Sequence, residues 1–146
     1  MVVVLVVLVV GLLPIWRPGD ALYGPAGLLT DAPRGITVAV QAQARPGDRI
    51  WNAQHWGSWL EFAAPVAPLA VDSRIELIPA DAWADHRALS AGPPDWAAIL
   101  DRRGVTIVAA SATEQRALIP LLRASSAWRS IVDDPDGAIF VRADRP

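Results

Sequence analysis

The sequence predicts an α/β domain: a mixed sheet of about five strands with flanking helices, ending in an antiparallel hairpin and preceded by a partial transmembrane helix. Three observations carry that expectation. Short β-branched apolar runs alternate with segments of helical period through the middle of the chain. Two more apolar runs near the end are separated by Asp134-Pro135-Asp136-Gly137, a hairpin turn signal. Thirteen of the fifteen residues from Val2 to Trp16 are apolar, broken only by Gly11 and Pro14.

The opening run would make roughly 22 Å of helix against a hydrocarbon core of about 30 Å, too short to cross by itself. No basic stretch precedes it and no small-x-small cleavage site follows, so a signal peptide does not fit. It suits the last part of a longer membrane helix over residues 1–17, with Trp16 at the interface, Arg17 among the headgroups and Pro18-Gly19 ending the helix. A buried segment of a soluble core would be expected to show a polar face, and none is present. Residues 18–33, punctuated by prolines and glycines, read as a linker, and 34–146 as one soluble α/β domain of common size.

Within that domain, Thr30 or Asp31 can cap a helix opening at Pro33 and stopped by Pro46-Gly47-Asp48. Asp48–Ala53 reads as a strand, Trp56–Ala64 as a helix and Leu69–Asp72 as a second strand. Pro79–Leu89 and Pro94–Arg103 read as helices, the first with Asp81 and Asp85 toward its positive end and the second closed by Gly104. Val105–Ala110 is the clearest buried strand, and Ser111 or Thr113 would cap the helix that carries Leu118, Ile119, Leu121 and Leu122. Trp128–Asp133 and Ala138–Arg142 form the closing hairpin. The early strands, alternating with helices, are expected to be parallel.

Composition narrows function. The chain has 13 basic and 15 acidic residues, a formal charge of −2, which excludes an electrostatic nucleic-acid binder. Every basic residue is arginine, so Schiff-base lysine chemistry and a phosphate-loop lysine are excluded, and the absence of cysteine removes thiol nucleophiles and zinc fingers. No Gly-x-Gly-x-x-Gly, Gly-x-Ser-x-Gly or His-Glu-x-x-His motif occurs. No cofactor is implied.

Two groups of residues are candidates for ligand binding. Asn52, His55, Trp56, Gly57 and Trp59 follow the first strand, where an open α/β sheet places its ligand crevice. The tryptophans either offer flat faces to a sugar or lie in the core, and Gly57 either admits a ligand or allows close packing. Asp72, Arg74 and Glu76 alternate, so an extended run would set them on one face as a charge network, a polar clamp or an acid/base pair. For a metal, His55, His86, Asp72, Asp81 and Asp85 are available, but no histidine pair has helical ligand spacing, and no metal site is expected.

The order Pro46-Gly47-Asp48-Arg49-Ile50-Trp51-Asn52, Trp56-Gly57-Ser58-Trp59-Leu60, Val71-Asp72-Ser73-Arg74, Pro94-Asp95-Trp96 to Leu100-Asp101, and Trp128-Arg129 through Ala138–Arg142 resembles the C-terminal soluble domain of large bacterial multi-pass membrane proteins. Those proteins are similar to type C, lipid-phosphosugar-dependent, mannosyltransferase-like glycosyltransferases. In that pattern glycines stand at the positions of Ser58 and Ser73. The resemblance implies an extracytoplasmic domain at the cell membrane that is not catalytic alone, because catalytic carboxylates of such enzymes lie in an early loop among other helices. It implies that the domain braces the membrane part or assists binding of a lipid-linked sugar or glycan acceptor, with the bilayer and that membrane part as partners. Arg17 argues for the opposite orientation by the positive-inside tendency. Two other expectations stand beside it: a membrane-tethered carbohydrate-binding module, and a small hydrolase using Asp72 and Glu76.

Overall fold

The structure, a computed structural model, describes residues 2–13 and 32–145, and the chain divides into two compact units between Ala32 and Pro33. In the first unit, helix α1 (Val2–Gly11) is built of valine and leucine on every side, and none of its residues is buried. Ten residues make roughly 15 Å of helix, about half a hydrocarbon core. Among the described residues no helix is long and apolar enough to cross a membrane. The expected partial membrane helix therefore reduces to a short apolar one. Its anticipated end at Trp16 and Arg17, most of the linker, and the caps Thr30 and Asp31 lie outside the described residues.

The second unit is a sheet between two layers of helices. Helix α2 (Arg34–Gln43) precedes strand β1 (Ile50–Asn52), and a 3-10 turn (Gln54–Trp56) leads into α3 (Gly57–Ala63). After a second 3-10 turn (Ile75–Leu77) come α4 (Ala80–Ser90), α5 (Trp96–Arg102), β2 (Ile107–Ser111), α6 (Leu118–Ala124), β3 (Trp128–Asp133) and β4 (Gly137–Arg142). The strand order is β1-β2-β4-β3. β1 and β2 are parallel, as the alternation predicts, and the closing hairpin joins antiparallel with β4 beside β2.

Alternation along the strands separates two cores. Ile50, Ile107, Ala109, Ile139 and Val141 face Ile36 and Val40 of α2 and Leu60 of α3. Trp51, Val108, Ala110, Ala138 and Phe140 face Leu89 of α4, Leu100 of α5, and Leu118 and Leu122 of α6. β2 is buried along its whole length, which its continuous apolar run requires. Gly104, at φ 64°, ends α5 in the left-handed conformation that the sequence position foretold. Asp134 accepts from the backbone N–H groups of Asp136 and Gly137 and so closes the hairpin turn. β3 carries a bulge between Ser130 and Val132.

Two expectations are corrected. The sheet has four strands, because Leu69–Asp72 is not one of them. That segment makes a single parallel bridge, Leu69 with Ile50, and its backbone then leaves the ladder to bond the side chain of Asn52. A ladder is not needed where a buried amide meets the same groups. The cap expected of Ser111 serves a turn instead: its Oγ accepts from Thr113 and Glu114 N–H, while α6 begins at Leu118 with no side-chain cap.

Gly57 fixes how α3 meets that segment. A Cβ there would lie 2.3 Å from the Val71 carbonyl oxygen and 2.5 Å from Asp72 Cα. Gly57→Ala is expected to lower stability by about 1–3 kcal/mol, as overpacking does, read as a reduced midpoint in urea unfolding with an unchanged slope.

Candidate functional site

Because β1 and β2 are parallel, their carboxyl ends open on the same side, and Asn52 and Ser111 stand there. Asn52 is fully buried. Its Nδ2 donates to the carbonyls of Val71 at 2.8 Å and Ala53 at 2.9 Å, and its Oδ1 accepts from Ala70 N–H at 3.1 Å. Its own carbonyl receives Gln115 Nε2 at 3.3 Å and lies 3.2 Å from His86 Nε2. One residue thus joins β1 to residues 70–71, to α4 and to the turn after β2.

Beside it a single carboxylate serves two histidines. Glu114 Oε2 lies 2.8 Å from His55 Nδ1, and Oε1 lies 3.3 Å from His86 Nε2. The backbone N–H of Gln54 donates to both oxygens, at 3.1 and 3.0 Å. His86 is buried, stacked parallel to Trp83 with ring centres 5.3 Å apart and packed on Trp51 at 5.7 Å. Burial pushes its imidazole below the ordinary histidine value, against the pull of Glu114 and of the Asn52 carbonyl, which favour the charged form. His55 is one-third exposed, and among the described residues its Nε2 has no hydrogen-bond partner. A carboxylate that holds one ring nitrogen leaves the other aimed by default, the geometry of an oriented base or of an acceptor for a ligand hydroxyl.

Spacing gave no warning of Glu114, which is far from both histidines in sequence. The available signal was Ser111-Ala112-Thr113-Glu114, a capping-box pattern directly after the clearest strand. Gln115, fully buried, was missed for the same reason.

The remaining predicted residues fall into two places. Trp56 is buried against α2 and α3, and Gly57 packs on the backbone of Val71 and Asp72. Trp59 is half-buried, donates to Thr37 Oγ1 at 2.8 Å and sits beside the exposed Phe62, with ring centres 5.9 Å apart. Arg74 pairs with Asp72, and its second carboxylate is Glu61 on α3 at 2.8 Å, not Glu76. Glu76 lies exposed in the second 3-10 turn, without a hydrogen bond among the described residues. The Arg74 hydrogen bond holds the Asp72 carboxyl below the usual range, which suits an ion-pair anchor and works against a proton donor. Ser58 and Ser73, where the resembling pattern has glycines, bond each other at 2.6 Å.

Among the described residues no group of three or more His, Asp or Glu side chains is placed to hold a metal ion. Comparison with family models, curated proteins and solved structures finds no match to this chain.

Asn52→Ala is expected to cost about 2–3 kcal/mol, because it strands the Val71 carbonyl and takes the acceptor from the Val71 N–H; chemical denaturation reads the loss. His86 gives a pH dependence of definite sign. Its folded-state affinity for a proton is lower than in the unfolded chain, so its contribution is intact above about pH 6.5 and is lost as pH falls below that. The melting temperature should therefore fall from pH 7 to 5, and fall less in His86→Gln. Asp72 and Asp81, held low by Arg74 and Arg103, would act only in the more acid range below about pH 4.

Proposed function

We propose that this chain is the noncatalytic, extracytoplasmic accessory domain of a polytopic, glycosyltransferase-like membrane protein, bracing its membrane part or assisting acceptor binding. The observation that carries the reading is α1, a helix of valine and leucine with every residue exposed, in a chain whose second unit is a self-contained α/β domain. Each such side chain gains about 1.5–3 kcal/mol on leaving water, so the helix favours an apolar environment on all sides. Further support comes from two of the segments that carry the resemblance. Trp56-Gly57-Ser58-Trp59 and Val71-Asp72-Ser73-Arg74 pack on each other through Gly57, the Ser58–Ser73 bond and the Glu61–Arg74 pair. The two segments form one structural unit.

The reading expects the full chain to stay with membranes through an alkaline carbonate wash, and residues 34–146 alone to be released. Release of both alike would overturn the membrane part. It also expects the in-frame reading upstream of Met1 to encode further hydrophobic spans. The 146 residues contain no cysteine, so Glu76→Cys gives a unique reporter within them, with the parent protein lacking the substitution as the labelling background. A membrane-impermeant maleimide should label it in intact spheroplasts, and labelling only after lysis would place the domain on the cytoplasmic side.

A second reading, a tethered sugar-binding module, is favoured by the Trp59–Phe62 pair, since Phe62 is 79% exposed on α3. Sugar rings stack on such faces. It predicts a glycan-dependent tryptophan fluorescence change that Phe62→Ala abolishes.

A further inference from the structure

The end of the sheet opposite Asn52 carries a cavity of its own. β1 and β2 begin there side by side, and β4, antiparallel to β2, ends there, so Asp48, Thr106 and Arg142 come together. With Gly47, Asp144 and Arg145 they line a space of about 520 Å³, the size of a small-molecule site.

Two guanidinium groups in its wall are each anchored along one edge and open along another. The Arg145 side chain is 9% exposed, and its Nη2 donates to the Asp48 carboxylate and to the Gln43 carbonyl, each at 2.5 Å. Its Nε and Nη1 have no partner among the described residues. They are not sealed in, since the one side-chain nitrogen or oxygen among those residues that is buried without a partner is Trp51 Nε1. What stays accessible of this buried guanidinium opens on the cavity it lines. Arg142 is built alike: Nη2 pairs with Asp101, Nε donates to the Val105 carbonyl at 3.3 Å, Cζ lies 4.7 Å from the centre of the Trp128 ring, and Nη1 is unpartnered among the described residues. A turn closed by the Arg145 N–H on the Arg142 carbonyl holds the two close in the chain.

The buried acceptor beside them is spent. Asp48 takes Thr106 Oγ1 on one oxygen, and Arg145 and the Arg45 N–H on the other. The forks therefore present fixed donors that cannot accept, and a charged oxygen group meets them with charge-assisted bonds that water cannot match. Asp48 and Asp101 balance the two arginines, so donor geometry rather than net charge selects the ligand. Asp144, exposed and without a hydrogen bond among the described residues, is a like charge at the rim.

We infer that this cavity binds a small oxyanion group, a carboxylate or a phosphoryl, with Arg145 and Arg142 as its donors and Asp144 lowering its affinity. The site shares no side chain with the Glu114 cluster and stands independently of the accessory-domain reading.

The test is nitrogen–proton correlation spectroscopy of the arginine side chains in the ¹⁵N-labelled full chain in non-ionic detergent, titrated with sodium phosphate and separately with sodium acetate at fixed pH and ionic strength. The Nε–H signals of Arg145 and Arg142, assigned by side-chain correlations, should move saturably, and the Trp128 indole N–H with them. Asp144→Asn should tighten the apparent affinity about threefold, and Arg145→Lys, which keeps the charge and loses the fork, should weaken it about tenfold. Movement with phosphate alone identifies a phosphoryl ligand, and movement with acetate alone a carboxylate. Unmoved signals, a drift without saturation, or an affinity indifferent to Asp144→Asn overturns the proposal. Asp144 is exposed, so its substitution leaves the core intact and decides the matter even if Arg145→Lys fails to fold.

Discussion

The buried amide of Asn52 is the constraint around which the sheet and its crevice are organised. A parallel strand of three residues has few ladder bonds of its own: on its outer side Ile50 bonds Pro68 and Ala70, and beyond that the segment at Val71 would be left with an open carbonyl and N–H. Asn52 supplies a donor and an acceptor to residues 70–71 in the spacing a neighbouring strand would have used. That placement draws the loop before α4 under α3, where only a glycine at position 57 fits. Its carbonyl then fixes His86 and Gln115, and His86 in turn sets the position of Glu114. An apolar residue of similar size would leave the Val71 carbonyl and N–H without these partners, so packing alone cannot replace it.

Much of this fold was legible in the sequence, and the reasons differ by element. β2 is β-branched, continuous and bounded by Gly104, so its burial and extension agree at every level. The hairpin carries its own turn chemistry in Asp134 and Gly137. Leu69–Asp72 looked like a strand because it is apolar and extended, and it does run beside β1. What removes it from the sheet is a side-chain substitution for a ladder, which no periodicity reveals. The site divides in the same manner. His55 and Asn52 were found from their place at and after a strand, whereas Glu114 comes from the turn after β2, on the far side of a long crossover, where only folding brings it near. Asp72 and Arg74 were rightly paired, but alternation pointed to Glu76 for the third charge. The 3-10 turn at Ile75–Leu77 breaks the extended run, and α3 delivers Glu61 instead.

The exclusive use of arginine shapes the electrostatics. Asp85 is bound by Arg102 and Arg103 together, and Asp48, almost wholly buried, accepts from Arg145 at 2.5 Å, from Thr106 Oγ1 and from the Arg45 N–H. A planar fork with five donors can serve two carboxylates in one fixed geometry, as Arg103 does with Asp81 and Asp85, whereas an ammonium group would hold them loosely. These pairs tie α4 to α5 and the last residues of the chain to the turn before β1.

The bulge in β3 bears on how the domain behaves when crowded. One edge of the sheet, at β1, is closed by the strap of residues 68–71, which leaves β3 as the exposed edge. An open edge is a template for another chain's backbone, and a flat one invites fibrillar stacking. Here the slip between Ser130 and Val132 interrupts the regular spacing of donors and acceptors, while Arg129 is exposed and Asp133 is tied to Arg123. An incoming strand would meet a register it cannot follow and charges it would have to desolvate. The sheet is thereby protected against edge-to-edge growth at high local concentration, such as that imposed by confinement to a two-dimensional surface.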